Sequence, residues 1–253
     1  MMGRVLFVNV LFMALGISCW GQAPAIDLGT VNAVGGRKVV SIDFGRTSAA
    51  LVQYAKAAFR MHGAYRLVPS MQGEYSFEFR SLGDGVVALE VSGGKPRKSL
   101  ARKTARGATS THALLKACDE AVKATLNIPG FFAGRLSYVS KRPTGKEIFV
   151  ADTLFLRASQ KTNYGAVCCN ASWAADGRGI FFTSDKRLFN DIYFMDLAAR
   201  KVKRVASYKG SNLRGVQSPV DRRVAYILSV TGNPELWLAA GIGARPKRIT
   251  RNN

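Results

Sequence analysis

Histidine is the commonest general acid or base in enzymes, and the chain carries two, His62 and His112. Neither stands in a recognisable motif with a partner that would position it, which a catalytic imidazole requires. Each has a structural reading instead: His62 closes a helix, where a cation complements the helix dipole, and His112 opens a second helix, where it packs at a domain junction. Asp176, Asp185 and Asp196 fall at turns and strand ends, so capping explains them better than an acid–base pair. There is no G-x-S-x-G elbow, phosphate-binding loop or dinucleotide fingerprint. Beyond Cys19 the cysteines are Cys118, Cys168 and Cys169. An odd number leaves a thiol unpaired, and bridging two adjacent cysteines would strain the peptide between them. Metal-ligand spacing is missing too, so these cysteines read as small buried side chains. The expectation is a protein with no catalytic residues, no cofactor and no metal.

Charge is the other chemical signal. The chain has 37 Lys and Arg against 16 Asp and Glu, a formal net charge of +21. Such a field recruits acidic partners, whether nucleic acid, lipid headgroups, envelope polymers or acidic proteins; a general compositional bias is the alternative source. The densest run, Lys95, Arg97, Lys98, Arg102, Lys103 and Arg106, is the candidate electrostatic patch. Residues 92–110 contain no aromatic side chain on which a base could stack, which argues against nucleic acid.

The elements that would position these residues can be read in order. Arg4 precedes an apolar run from Val5 to Ile17, followed by small and polar residues, the pattern of a secretory signal covering 1–25 with cleavage near Gly21 or Ala23-Pro24-Ala25. A lipid anchor on Cys19 is the lesser alternative, because Gly16 stands where a lipoprotein signal has an aliphatic residue. The expected location is the periplasm. Residues 26–128 read as a small α/β domain. Its signals are a strand at Val39–Phe44, a helix capped by Thr47 or Ser48 with Leu51, Tyr54, Ala55, Ala58 and Phe59 on one face, and a strand at Tyr65–Val68. Three further strands follow at Tyr75–Arg80, Val86–Val91 and Lys98–Thr104, then a helix from Thr109–Thr111 that buries Leu115, Cys118, Val122 and Leu126 and stops before Pro129.

From residue 129 onward the pattern becomes one of short strands, and it repeats every 44 residues. Tyr138, Phe182 and Tyr226 are successive copies of one position. So are the strands Ile148–Asp152, Ile192–Asp196 and Leu236–Ala239, and Ala206 and Thr250 match at the same offset. A gapless period of this length, with several strands in each copy, is that of propeller blades, whose apolar faces are buried blade on blade.

Within the repeat, Trp173, Asp176 and Gly177 form a turn, Ser184 and Asp185 follow the next strand, and Asp196 ends the one after it; Ser218 and Pro219 occur in the following copy. This pattern resembles the repeat of the TolB family. His112, Asp119-Glu120, Leu126 and Gly130-Phe131-Phe132 likewise resemble the family's junction between its N-terminal domain and propeller. The fold expected is an α+β N-terminal domain, a mixed sheet with two helices, followed by an incomplete β-propeller of about three blades over 129–253. At this period a six-bladed ring needs roughly 264 residues, whereas Phe131 to the C-terminus supplies 123. Completion by self-association, completion by a separate chain, or descent into a remnant are the alternatives.

The resemblance implies a non-enzymatic scaffold in a Tol-Pal type envelope system. It would contact a peptidoglycan-associated lipoprotein through the propeller and a TolA-like protein through the segment near 26–36. Envelope integrity, protein import and cell division are the implied processes. The alternative function is the regulatory propeller half of a peptidase or hydrolase assembly.

Overall fold

The computed structural model describes residues 36–45 and 47–251; the signal segment, Cys19 and nearly all of the segment near 26–36 lie outside them. The first element, β1 (Lys38–Phe44), leads into α1 (Ala49–Met61) and β2 (Tyr65–Val68). Ser48 is the N-cap, its hydroxyl accepting from the Leu51 N–H, and Leu51, Ala55, Ala58 and Phe59 are buried. β1 and β2 pair in parallel across this helix, and β1 also pairs in parallel with β3 (Tyr75–Gly83). β4 (Val86–Gly93) and β5 (Lys98–Arg106) then add antiparallel strands, giving a mixed sheet of order β2-β1-β3-β4-β5.

The second helix, α2 (Ser110–Leu126), is capped by Thr109 and ends at Asn127, whose left-handed backbone and N–H to the Lys123 carbonyl stop it two residues before Pro129. Both helices pack on one face of the sheet. Phe59, Phe77, Phe79, Leu89, Val91, Leu114 and Cys118 form the middle of that core.

Three antiparallel sheets follow. The first contains β6 (Arg135–Arg142), β7 (Gly145–Asp152) and β8 (Ala158–Gln160). The second contains β9 (Cys168–Trp173), β10 (Gly179–Arg187), β11 (Phe189–Asp196) and β12 (Lys201–Ala206). In the third are β13 (Asn212–Gln217), β14 (Val224–Leu228), β15 (Glu235–Ala239) and β16 (Lys247–Arg248). The 44-residue register appears directly in the pairing: Tyr138 opposes Phe149, Phe182 opposes Tyr193, and Tyr226 opposes Trp237. The first sheet has three strands where its sisters have four. Among the described residues the three sheets do not close into a ring. From Arg37 onward the chain makes one compact unit.

β10 explains how the sheets stack. Its residues Gly179 to Ser184 are all buried, and strand alternation divides them between two interfaces. Ile180 and Phe182 face the first sheet, packing with Ile148 and Val150, while Phe181 faces the third and packs with Val224, Tyr226 and Leu228. Phe181→Ala and Phe182→Ala should each lower unfolding free energy by about 3–5 kcal/mol. Denaturant titration checks this, and a loss below 1 kcal/mol at either position would contradict double-sided burial.

Candidate binding surfaces

The repeat-motif residues lie where β9 turns into β10 and along the strands that follow. Trp173 ends β9, and Ala174 and Gly179 close the turn with an N–H to carbonyl bond of 2.8 Å. Gly177 takes a positive φ of 67° there, and Asp176 Oδ1 accepts from the Arg178 N–H at 2.9 Å. Arg135, at the head of β6, lies 4.7 Å from the Trp173 ring and donates to the Gly177 carbonyl at 2.6 Å, clasping the first sheet to the second.

Ser184 is buried, and its oxygen accepts from the Lys186 N–H; the Cys168 thiol lies 3.4 Å from it. Asp185 accepts from the Val167 N–H at 2.8 Å, and Asp196 from the N–H groups of Ala198 and Ala199. Ser218, followed by Pro219, repeats the turn: its N–H reaches the Arg223 carbonyl at 2.8 Å and its hydroxyl accepts from Val220 and Asp221. Without the glycine, the left-handed residue moves one place on, to Arg222 at φ 62°.

The same period carries a set of residues that the apolar pattern conceals. Glu147, Asp191 and Glu235 are successive copies of one position, and all three are buried. Glu147 accepts from the Thr162 hydroxyl at 2.5 Å and from the N–H groups of Tyr164 and Gly165 at 2.7 and 2.9 Å. Asp191 pairs with Arg204 at 3.2 Å, and Glu235 with Arg248 at 2.8 Å and with the Thr250 hydroxyl. Arg204 and Arg248 are themselves 44 residues apart, as are Ala206 and Thr250. Searching the 44-residue offset for acids as well as aromatics would have found this constellation. Its chemistry is anchoring: each carboxylate is engaged by donors from its own sheet or the following loop.

At the junction of helix and first sheet, Asp119 on α2 accepts from the N–H groups of Phe132 and Ala133 at 2.7 and 3.0 Å. Burial raises its pKa, while the two backbone donors pull the other way. Phe132 is thereby inserted among Phe59, Tyr65 and their neighbours, and the Thr153 hydroxyl donates to its carbonyl at 2.5 Å.

His62 belongs to this joint, stacking on Phe131 with centroids 5.3 Å apart and meeting Tyr65 edge-on. Its Nδ1 accepts from the Ala64 N–H at 3.3 Å, and burial lowers its pKa. The expectation of a cation on the helix dipole is therefore corrected: aromatic packing desolvates the ring and favours the neutral form. His112 also has a lowered pKa, from burial first and then from nearby Lys116 and Arg135. It lines a cleft of about 480 Å³ between α2 and the first sheet, with Arg135, Asp152, Arg157 and Lys161.

The basic run does not form one face. All six side chains are exposed, but Arg97 donates to the Gly73 carbonyl at 2.8 Å and Arg102 bridges to Glu90 at 2.9 Å. Strand alternation puts Arg102 and Arg106 on one side of β5 and Lys103 on the other. Beside Arg102, the cross-strand row Glu90, Glu78 and Asp43 supplies compensating acid. Cys118, Cys168 and Cys169 are free thiols, and among the described residues no group of His, Cys, Asp and Glu is arranged to hold a metal. No described helix is long and apolar enough to cross a membrane.

No protein-family model matches the chain. It is 26% identical over 135 residues to the Tol-Pal system protein TolB of Desulfosudis oleivorans, covering 53% of this chain and 31% of that protein. Against the Tol-Pal system protein TolB of Desulfotalea psychrophila the identity is 24% over 199 residues, 71% of this chain and 45% of the other. The crystal structure of TolB from Acinetobacter baumannii superposes with a TM-score of 0.75 at 19% identity, over 85% of this chain and 61% of that one. The chain is similar to TolB proteins in sequence and in fold. It spans less than half the length of these two curated TolB proteins. The superposition with TolB establishes likeness of fold.

Two measurements check the anchoring residues. Glu147→Ala strands a hydroxyl and two N–H donors and should cost about 2–3 kcal/mol, read by chemical denaturation; an unchanged midpoint would exclude the anchor role. His62 binds protons more weakly folded than unfolded, so its contribution is present above the ordinary value of 6.5 and is lost as pH falls below it. His62→Phe should flatten the fall in stability between about pH 7.5 and about pH 5, and an identical slope in both proteins would refute the assignment.

Proposed function

We propose that this protein is a non-enzymatic, periplasmic protein-binding scaffold of a Tol-Pal type envelope system. The carrying observation is the sheet stack itself, built on a 44-residue register in a chain whose sequence is similar to proteins named as TolB and whose fold superposes on a TolB crystal structure. The three sheets act as consecutive propeller blades beside an N-terminal α/β domain, with the boundary near residue 128 where α2 gives way to Asp119-held Phe132. Their surfaces, rather than an internal catalytic cleft, do the work. The charged side chains at the heart of each sheet are engaged in anchoring, and the two histidines sit in packing and cleft positions.

On this reading the stacked sheets bind a peptidoglycan-associated lipoprotein, and the segment near 26–36 engages a TolA-like protein. The N-terminal 1–25 segment directs export. The basic strand from Lys98 to Arg106 contributes long-range attraction for acidic envelope components rather than a specific contact, since its cations point to both sides of the sheet.

Affinity capture of the tagged chain from detergent-solubilised envelope should retain a peptidoglycan-associated lipoprotein, identified by mass spectrometry. Recovery of neither that lipoprotein nor any Tol component would sink the proposal.

A further inference from the structure

The turn joining β10 to β11 breaks two local rules together. Leu188 holds φ at 78°, a region that suits glycine, and its side chain is 89% exposed; Phe189 beside it is 74% exposed. Neither residue serves a core, and leucine is a poor occupant of a left-handed turn position. The repeat supplies an internal control. Forty-four residues later Gly232-Asn233 occupy the same register, with Gly232 at φ 105°, and forty-four residues earlier stand Thr144-Gly145. The turn therefore has no structural need of apolar side chains, and they belong to the second sheet alone. Departures from local consistency of this kind concentrate where a surface has a task.

The surroundings of the turn are cationic. Lys186 and Arg187 precede it, and the Lys186 ammonium lies over the rings of Tyr164 and Tyr193 at 3.6 and 4.3 Å. Arg187, Leu188 and Phe189 form one wall of a cleft of about 650 Å³, with Lys209 in the facing loop. That loop is fixed by Asn212, which accepts from the Tyr208 N–H and donates to the carbonyls of Tyr208 and Asn190, each at 3.0 Å. The carboxylates in the cleft are already engaged, Asp185 by the Val167 N–H at 2.8 Å and Asp191 by Arg204 at 3.2 Å. Two bare apolar side chains thus project beside Arg187 and Lys209, on a chain of formal charge +21.

We propose that this turn docks the protein on an anionic lipid bilayer. Leu188 and Phe189 enter the boundary between headgroups and acyl chains, and Arg187 and Lys209 engage lipid phosphates. Apolar burial and attraction to a negative surface each contribute modestly alone and combine into reversible interfacial binding. A tip of two side chains suits a fluid surface that deforms around it better than a protein partner, whose stable interface covers roughly 800 Å² per side.

The test uses the full chain and sedimentation with vesicles of phosphatidylcholine, with or without phosphatidylglycerol. The double variant L188G/F189N installs the third sheet's own turn residues, so its melting temperature should match or exceed that of the parent. Its affinity for phosphatidylglycerol vesicles should fall about tenfold. In F189W the indole emission should shift to the blue on the same vesicles and be quenched by brominated acyl chains. Undiminished binding by the double variant, an indole that keeps its aqueous emission, or equal affinity for the two kinds of vesicle would each overturn the proposal. So would a parent protein that ignores both vesicles while L188G/F189N loses capture of a protein from envelope extract, which would assign the turn to a protein partner.

Discussion

A carboxylate withdrawn from water must be matched by donors, and each of the three repeat sheets is organised around one such match. Glu147, Asp191 and Glu235 sit near the start of the same strand in successive units, and each reaches a residue in the next strand or the loop beyond it. Apolar stacking alone would hold the sheets together while tolerating slippage, because one hydrophobic strand face resembles another. A buried acid with a fixed set of donors removes that freedom, since a shifted register would leave it without them. The aromatic pairs Tyr138–Phe149, Phe182–Tyr193 and Tyr226–Trp237 stay opposite one another in the register these acids define.

A comparable constraint operates where the α/β layer meets the first sheet. Asp119 holds the Phe132 and Ala133 amides, and Phe132 becomes part of the helical core although it leads into the sheets. The chain from Arg37 onward is consequently one compact unit. Arg135, three residues after Phe132, continues the tie by covering Trp173 and bonding the Gly177 carbonyl in the second sheet.

Much of this was legible in the sequence because apolar periodicity reports burial directly. The two helices and their caps, the parallel crossover and the 44-residue register all follow from where Leu, Phe, Val and Tyr recur, and from Ser48 and Thr109 just ahead of helical stripes. What remained hidden was polar. A glutamate or aspartate near a strand end reads as solvated, and only the donors from distant positions, Thr162, Arg204 and Arg248, reveal that it is enclosed. His62 is concealed for a related reason: its position at the end of α1 argues for a cation, but Phe131, almost seventy residues on, covers it. The basic run appears as a single patch when charges are counted along the chain, and alternation on β5 disperses it.

The double-sided strand β10 has a consequence for how the stack yields. Its amides are shielded on one side by the first sheet's Ile148 and Val150 and on the other by the third sheet's Val224, Tyr226 and Leu228. Separating either neighbour still leaves the opposite interface intact, so the strand's hydrogen bonds break only when both are lost. In the hierarchy of partial openings that precedes global unfolding, the middle of the stack is therefore the last part to exchange with water, and the sheets on either side can breathe separately without melting it.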